Sequence, residues 1–221
     1  MYVWIDSRNT QDERDLLLLD RNHLATTSMG TSPPCLLRGR CDPDAKNDAD
    51  SHSVHLHYSP TFRYSIGFKD EFWQREHWRF HGMQLNYLAK RWNRRASQAN
   101  LYVKSGLGAI DSDRFNNALG GFVGMAADWE NRRFFTSYAN RLYDAGPVNQ
   151  FFTQHARVGI APYIGDYGDI HTWLMLQVDH QPEQSDPIVL TPLVRLFKHE
   201  YLTEIGVNEA GKLLMNLVIR F

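Results

Sequence analysis

The stretch from residue 52 to residue 68 alternates apolar and polar side chains almost without interruption. One phase carries Val54, Leu56, Tyr58, Phe62, Tyr64, Ile66 and Phe68, whereas the other carries His, Ser, Thr and Arg residues. A period of two indicates a β-strand with two chemically different faces. The run exceeds the usual strand of about five or six residues in a soluble protein, and only Pro60 interrupts its apolar phase. It is therefore predicted to form one long strand.

The same alternation recurs along the rest of the chain and predicts ten strands in all. The further segments are 78–91, 97–109, 118–129, 133–143, 151–164, 169–179, 188–197, 201–208 and 213–221. The hairpin within 188–207 is the least regular, so eight strands is the alternative. Short joints near 92–96, 130–132, 165–168 and 198–200 alternate with longer connections. This organisation favours an all-β antiparallel barrel that spans a membrane.

Residues 1–50 differ from the rest in composition and in pattern. They are rich in Asp, Arg, Asn, Ser, Thr and Pro and show no sustained period. A segment without a periodic apolar face cannot offset its own ordering entropy. The predicted organisation is thus a disordered or irregular tail over 1–50 and a barrel over 51–221. Cys35 and Cys41 are the only cysteines, too few for a disulfide framework or a four-cysteine zinc site.

Charge and hydropathy exclude two classes of protein. The chain has 24 Lys and Arg residues against 25 Asp and Glu residues, so it lacks the basic excess that typically drives nucleic-acid binding. No stretch reaches the roughly 18 consecutive apolar residues that a transmembrane helix needs. A soluble, lipocalin-like ligand-binding barrel remains an alternative, because alternation alone does not tell which face is buried.

The last segment carries the most specific signal. Leu213, Met215, Leu217, Ile219 and Phe221 alternate with other residues, and the sequence stops on the aromatic side chain. In this the chain resembles bacterial outer-membrane β-barrel proteins, whose final strand ends in Phe.

This resemblance implies that the protein is located in the bacterial outer membrane. It also implies Leu217, Ile219 and Phe221 as the signal for the barrel-assembly machinery, and outer-membrane lipid as a second partner. We expect a monomer. Export needs a signal peptide, but Asp12, Glu13 and Asp15 lie where a signal would be apolar. We therefore expect the start site to be misassigned.

The polar phase predicts the content of the barrel interior. Its basic residues are Arg63, Lys90, Lys104, Arg141, Arg157, Arg195, Lys212 and Arg220, and its acidic residues are Asp128, Asp179 and Glu204. A net positive interior would favour anions. We expect instead that these charges pair across a narrow interior and fill it. The predicted function is structural, binding or narrow-channel, without catalysis; an outer-membrane hydrolase is an alternative.

A histidine cluster offers a different alternative. His52, His55 and His57 lie close together in the first predicted strand, and residues two apart on a strand share a face. Imidazole is a common ligand of transition metals. A metal-handling outer-membrane protein with lumenal histidines is therefore a second hypothesis, although no cofactor is required by the barrel itself.

Overall fold

The computed structural model describes residues 41–47, 51–75, 77–165 and 168–219. These residues form twelve β-strands. The strands are β1 (Cys41–Asn47), β2 (Ser51–Tyr58), β3 (Tyr64–Trp73), β4 (Trp78–Arg94), β5 (Ser97–Ser112), β6 (Ala118–Asn131), β7 (Phe134–Asp144), β8 (Gln150–Ile160), β9 (His171–His180), β10 (Ile188–Lys198), β11 (Tyr201–Val207) and β12 (Leu213–Ile219). Within these ranges, no helix is long and apolar enough to cross a membrane.

The sheet closes on itself. Each strand pairs antiparallel with its neighbours in sequence, and β1 pairs with β12 from Asp44 opposite Val218 to Asn47 opposite Met215. Closure satisfies the backbone groups that an open sheet would leave at its edges. The predicted all-β antiparallel barrel is confirmed, whereas the strand counts of ten and of eight were both wrong.

Two strands account for the difference in number. Strand β1 (Cys41–Asn47) lies within the stretch predicted to be a tail, so the barrel begins before residue 51. Its sequence carries no apolar alternation, and its order comes from pairing with both neighbours. The other additional strand arises at Pro60. The single strand predicted over 52–68 is two strands, β2 and β3, joined by a turn at 59–63. A proline lacks the N–H that a central strand needs.

The barrel is apolar outside and polar inside. On β2, Val54 and Leu56 face outward and are 53% and 55% exposed, while His55 and His57 face inward and are buried. The same alternation holds on β5, where Val103 faces outward and Lys104 is buried inside. A soluble lipocalin-like barrel would have the opposite polarity, so the structure contradicts that alternative. An apolar outer face around a polar interior is typical of a transmembrane β-barrel.

The two ends of the barrel differ. The turn end carries the two-residue turns at 95–96, 132–133 and 199–200 together with the connections 59–63 and 161–170, and the loop end carries the connections 74–77, 113–117, 145–149, 181–187 and 208–212. Exposed aromatic residues concentrate at the turn end, including Trp92, Trp129, Phe134 and Tyr201. The predicted short joint at 165–168 was wrong, because β8 ends at Ile160 and the connection runs from 161 to 170.

Candidate functional site

Buried side chains from strands all around the barrel fill its interior. Among them is an ionic cluster around Glu204, here called the Glu204 cluster. Arg195 Nε donates to Glu204 Oε1 at 2.8 Å, and Asn216 Nδ2 donates to Glu204 Oε2 at 2.8 Å. Arg157 reaches from β8 to β11 and lies 3.1 Å from Glu204 Oε2. All four side chains are at most 3% exposed. Protein atoms therefore occupy this level of the lumen.

A second ionic cluster, the Glu71 cluster, lies nearer the loop end. Lys69 Nζ lies 2.7 Å from Glu71 Oε2, and the Tyr143 hydroxyl donates to the same oxygen at 2.5 Å. Arg141 Nη1 donates to the Tyr143 hydroxyl at 3.0 Å and lies 3.6 Å from Glu71 Oε1. One carboxylate thus contacts two cations, as in the Glu204 cluster. Removing either carboxylate would leave buried positive charge, which is costly.

Aromatic rings pack beside the Glu71 cluster. Trp73 stacks on Trp78 with ring centroids 5.7 Å apart, and Tyr143 stacks on Phe151 at 4.9 Å. The Phe122 ring packs against Gly106, where an added Cβ would lie 2.3 Å from a ring carbon. Glycine at this position therefore makes room for the ring. These contacts give the loop-end half of the interior one firmly packed wall.

A cavity of about 140 Å³ lies in front of this wall. Its inner lining includes His55, Lys69, Trp73, Gln84 and Tyr143. Its outer lining comes from the loop 181–187, so it is reached from the loop end. The interior thus combines a filled middle with a cavity at one end, a shape that suits binding better than open diffusion.

The loop 181–187 extends across the cavity mouth. Arg75 Nη1 donates to Gln184 Oε1, which joins this β9–β10 loop to the β3–β4 turn. These two connections lie six strands apart in a ring of twelve, on opposite sides of the barrel. Glu183 Oε1 also accepts from the backbone N–H of Phe152 at 3.3 Å. The loop is therefore held over the cavity as a partial lid.

Replacing Arg75 by Ala should open this lid more often. Loss of one hydrogen bond of about 1 kcal/mol corresponds to a roughly five-fold larger open population. The measurement is the maleimide-labelling rate of a Ser53→Cys probe, which lines the cavity, with Cys35 and Cys41 replaced by Ser. Arg114→Ala, in a neighbouring exposed loop, is the matched control. Equal labelling rates for the two variants would show that the contact does not hold the lid.

The predicted lumen charges divide into two groups. Lys104, Arg157, Arg195 and Glu204 lie inside the barrel and are buried. Arg63 does not reach the lumen, because it lies in the exposed turn 59–63 and stacks over Phe62.

Lys90 also lies outside the lumen. A bulge between Leu88 and Lys90 changes the phase of β4 and points Lys90 outward, over the Trp92 ring. The same shift turns Arg91 inward, and Arg91 Nε donates to Asn100 Oδ1 at 2.7 Å.

The described interior is close to electrically neutral. Its basic side chains are Lys46, Lys69, Arg91, Lys104, Arg141, Arg157 and Arg195, and its acidic side chains are Asp44, Glu71, Asp128, Glu130, Asp179 and Glu204. The strong positive excess expected from the sequence does not occur. The first predicted strand ends at residue 68, so the prediction does not include three further interior residues, Lys69, Glu71 and Trp73. They continue the inward-facing alternation that begins at Ser65.

The three predicted metal ligands are only partly brought together. His55 and His57 face inward with ring centroids 4.8 Å apart, whereas His52 lies on the other face and contacts Gln74. No group of three or more His, Cys, Asp or Glu side chains in the described ranges is arranged to hold a metal ion. Metal binding by His55 and His57 alone stays a prediction.

The predicted assembly signal lies on and beyond β12. Leu217 faces outward and is 38% exposed, and Ile219 is the last residue of the strand. Phe221 lies outside the described residues. The described part of the predicted assembly signal therefore lies on the outward-facing side of β12.

Comparisons with known proteins give distant structural similarity only. No protein-family model matches the chain, and no curated protein is similar to it in sequence. The KdgM porin is 11% identical with a TM-score of 0.44, over 80% of this chain and 95% of that one. OccK8 (OprE) of Pseudomonas aeruginosa is 7% identical with a TM-score of 0.41, over 83% and 63%. A structure reported under "Unveiling the Mechanism Behind the in-meso Crystallization of Membrane Proteins" is 11% identical with a TM-score of 0.45, over 82% and 83%.

Proposed function

We propose that the protein is an integral β-barrel of the bacterial outer membrane, of the narrow-channel or solute-binding type. The observation that carries this proposal is the polarity of the closed barrel, with apolar side chains outside and ionic clusters inside. Hydrocarbon around the barrel would cover the outer apolar face, which far exceeds what a soluble monomer exposes. The aromatic residues at the turn end fit an interfacial belt.

The differences between the two ends also suggest an orientation. Two-residue turns are typical of the periplasmic side of such barrels. All three such turns in the described residues lie at the turn end, although the ten-residue connection 161–170 lies there as well. We therefore place the turn end in the periplasm and the cavity at the cell surface. In this orientation the loop 181–187 would meet solutes first.

Membrane integration is tested with the full chain fused to a cleavable export signal in a Gram-negative host. Carbonate extraction should leave the protein in the membrane pellet, and unheated samples should migrate differently from boiled samples on a denaturing gel. Recovery as a soluble periplasmic monomer would contradict the proposal. A pellet protein without heat modifiability would indicate aggregation, and would contradict it as well.

A porin-like conductance is not expected from the purified barrel. The Glu204 cluster spans β8, β10, β11 and β12 with almost fully buried side chains, so ions meet protein atoms rather than an aqueous channel. Planar-bilayer recordings at 1 M salt (roughly 3 Å screening length) provide the measurement. Stable porin-like conductance steps, whatever their ion selectivity, would contradict the filled lumen.

Changing Phe221 to Asp is expected to block assembly. The resemblance to outer-membrane barrels makes this residue part of the signal for the assembly machinery, and a charge there also removes an apolar interfacial group. The measurement is the heat-modifiable fraction in outer membranes, and Asp15→Ala in the tail is the control. Normal levels of the Phe221 variant would argue against an assembly role.

A further inference from the structure

The turn end of the barrel carries a strongly basic face on one side. The connections 59–63, 95–96 and 132–133 join β2 to β3, β4 to β5 and β6 to β7, so they are neighbours around the ring of strands. These connections and the strand ends beside them carry six exposed basic side chains, here called the basic rim: Arg63, Lys90, Arg94, Arg95, Arg132 and Arg133. No Asp or Glu occurs in the residues 59–63, 90–97 and 131–134.

The connections 161–170 and 199–200 at the same end differ in charge. The first has two Asp residues and no Lys or Arg, and the second places Glu200 close to Lys198 in the sequence. The positive charge of the turn-end connections is therefore concentrated on the side formed by β2 to β7. A ligand that encircled the barrel evenly would not need this asymmetry.

The sheet register brings the arginines of two turns together. Arg94 is opposite Ser97, and Ser97 is in turn opposite Asn131. The Cα atoms of Arg94 and Asn131 are therefore two strand spacings apart, about 10 Å. Asn131 Oδ1 accepts from the backbone N–H groups of Arg133 at 2.7 Å and Phe134 at 2.6 Å. This side chain fixes the turn that presents the second pair of arginines.

The rim has charge to offer a ligand. No carboxylate in the described ranges forms a salt bridge with Arg94, Arg95 or Arg133. The nearby Glu130 faces inward and is buried. Three guanidinium groups on adjacent turns thus form a local positive surface, even though the whole chain is nearly neutral.

Exposed aromatic side chains alternate with the basic ones on the outer face of the barrel. Lys90, Trp92 and Arg94 follow the same outward phase of β4, and Lys90 Nζ lies 5.4 Å from the centre of the Trp92 ring. Phe62 and Phe134 are 53% and 51% exposed beside the two flanking turns. Aromatic side chains of membrane barrels lie at the headgroup level. The adjacent cations therefore lie at the same level, where lipid phosphates are.

The chemistry of the rim suits a lipid with net negative charge. A guanidinium group forms paired, charge-assisted hydrogen bonds with phosphate oxygens. A zwitterionic headgroup carries its own ammonium beside the phosphate, whereas a glycerol headgroup leaves the phosphate charge uncompensated. Each Lys or Arg near an anionic membrane surface strengthens the attraction roughly five-fold.

We propose that the basic rim binds the headgroups of anionic phospholipids, such as phosphatidylglycerol, in the leaflet at the turn end. The rim is complementary to them in charge and is continuous with the aromatic belt. An acidic soluble protein is the other occupant that a basic surface can take, but Lys90 and Arg94 point outward, toward the lipid. The inference rests on the proposed function, because it requires a barrel assembled in a bilayer.

The test measures lipid selectivity by fluorescence quenching in vesicles. The full chain with Trp4→Phe is refolded into phosphatidylcholine vesicles in which either phosphatidylglycerol or phosphatidylcholine carries brominated acyl chains. Trp92 and Trp129 face outward at the turn end, whereas the other tryptophans of the described residues are buried inside the barrel. Phosphatidylglycerol should be preferred at least roughly five-fold at about 0.1 M salt, and the preference should largely disappear at 1 M salt, where the screening length is about 3 Å.

Variants assign the preference to the basic rim. The triple variant Arg94→Gln, Arg95→Gln, Arg133→Gln should lose most of it. The matched control removes the same charge from three exposed arginines at the loop end, Arg75→Gln, Arg79→Gln and Arg114→Gln, and should keep the preference. If the rim triple variant does not assemble, Arg133→Gln is compared with Arg114→Gln in its place.

Three outcomes would overturn the proposal. Equal losses in the rim and control variants would show an effect of net charge alone. Absence of any preference in the parent, in a barrel that is heat-modifiable, would leave an acidic soluble protein as the occupant. Failure of the parent to integrate into pure phosphatidylcholine vesicles would contradict the proposed membrane barrel, and the inference with it.

Discussion

Replacing Glu204 by Ala is expected to destabilise the barrel by about 3–5 kcal/mol. The carboxylate receives hydrogen bonds from Arg157, Arg195 and Asn216, and none of these side chains is more than 3% exposed. Its removal would leave two buried guanidinium groups without the carboxylate that both of them contact. The measurement is the free energy of unfolding of the refolded barrel in detergent, from denaturant titration.

The control for this variant is Glu209→Ala, because Glu209 is an exposed carboxylate in the next connection. Its expected effect is within about 0.5 kcal/mol. A second comparison is the triple variant Arg157→Met, Arg195→Leu, Glu204→Leu. Replacing a whole buried ionic group by apolar residues is often tolerated, so the triple variant should be more stable than Glu204→Ala alone. The opposite order would show that the cluster stabilises the barrel through packing rather than charge balance.

The alternation of the sequence predicts most of the inward and outward faces. Lys104, Arg157 and Arg195 lie inside as their phase predicts, because a strand fixes side-chain direction once its ends are known. The strand count failed where this pattern is weak. Strand β1 has the sequence CDPDAKN, which no propensity favours as a strand, and it is ordered by pairing with β2 and β12.

The contacts inside the lumen depend on features that periodicity does not contain. The Arg157–Glu204 pair joins β8 to β11, so it requires the strand number and the register of the closed sheet. The bulge before Lys90 reverses the phase of the rest of β4, and one extra residue is enough to do so. The cavity depends likewise on Glu71 and Trp73, which become neighbours of Tyr143 only when the barrel closes.

Met125→Arg is expected to destabilise the barrel by about 2–4 kcal/mol in lipid. Met125 lies midway along β6, faces outward and is 54% exposed. In hydrocarbon its replacement by a guanidinium places a charge where nothing can hydrate it. On a water-exposed surface the same change would cost within about 0.5 kcal/mol. The size of the effect therefore reports which medium surrounds the barrel.

The experiment compares unfolding free energies of Met125→Arg and Asn116→Arg in vesicles of defined phospholipid. Asn116 lies in the exposed connection 113–117 at the loop end, outside the apolar band, so its variant should unfold like the parent. Equal stabilities of the two variants would mean that water, not lipid, contacts β6, and the membrane barrel would have to be abandoned. A large loss of unfolding free energy for Met125→Arg alone would show that the outward-facing side chains of β6 contact the bilayer.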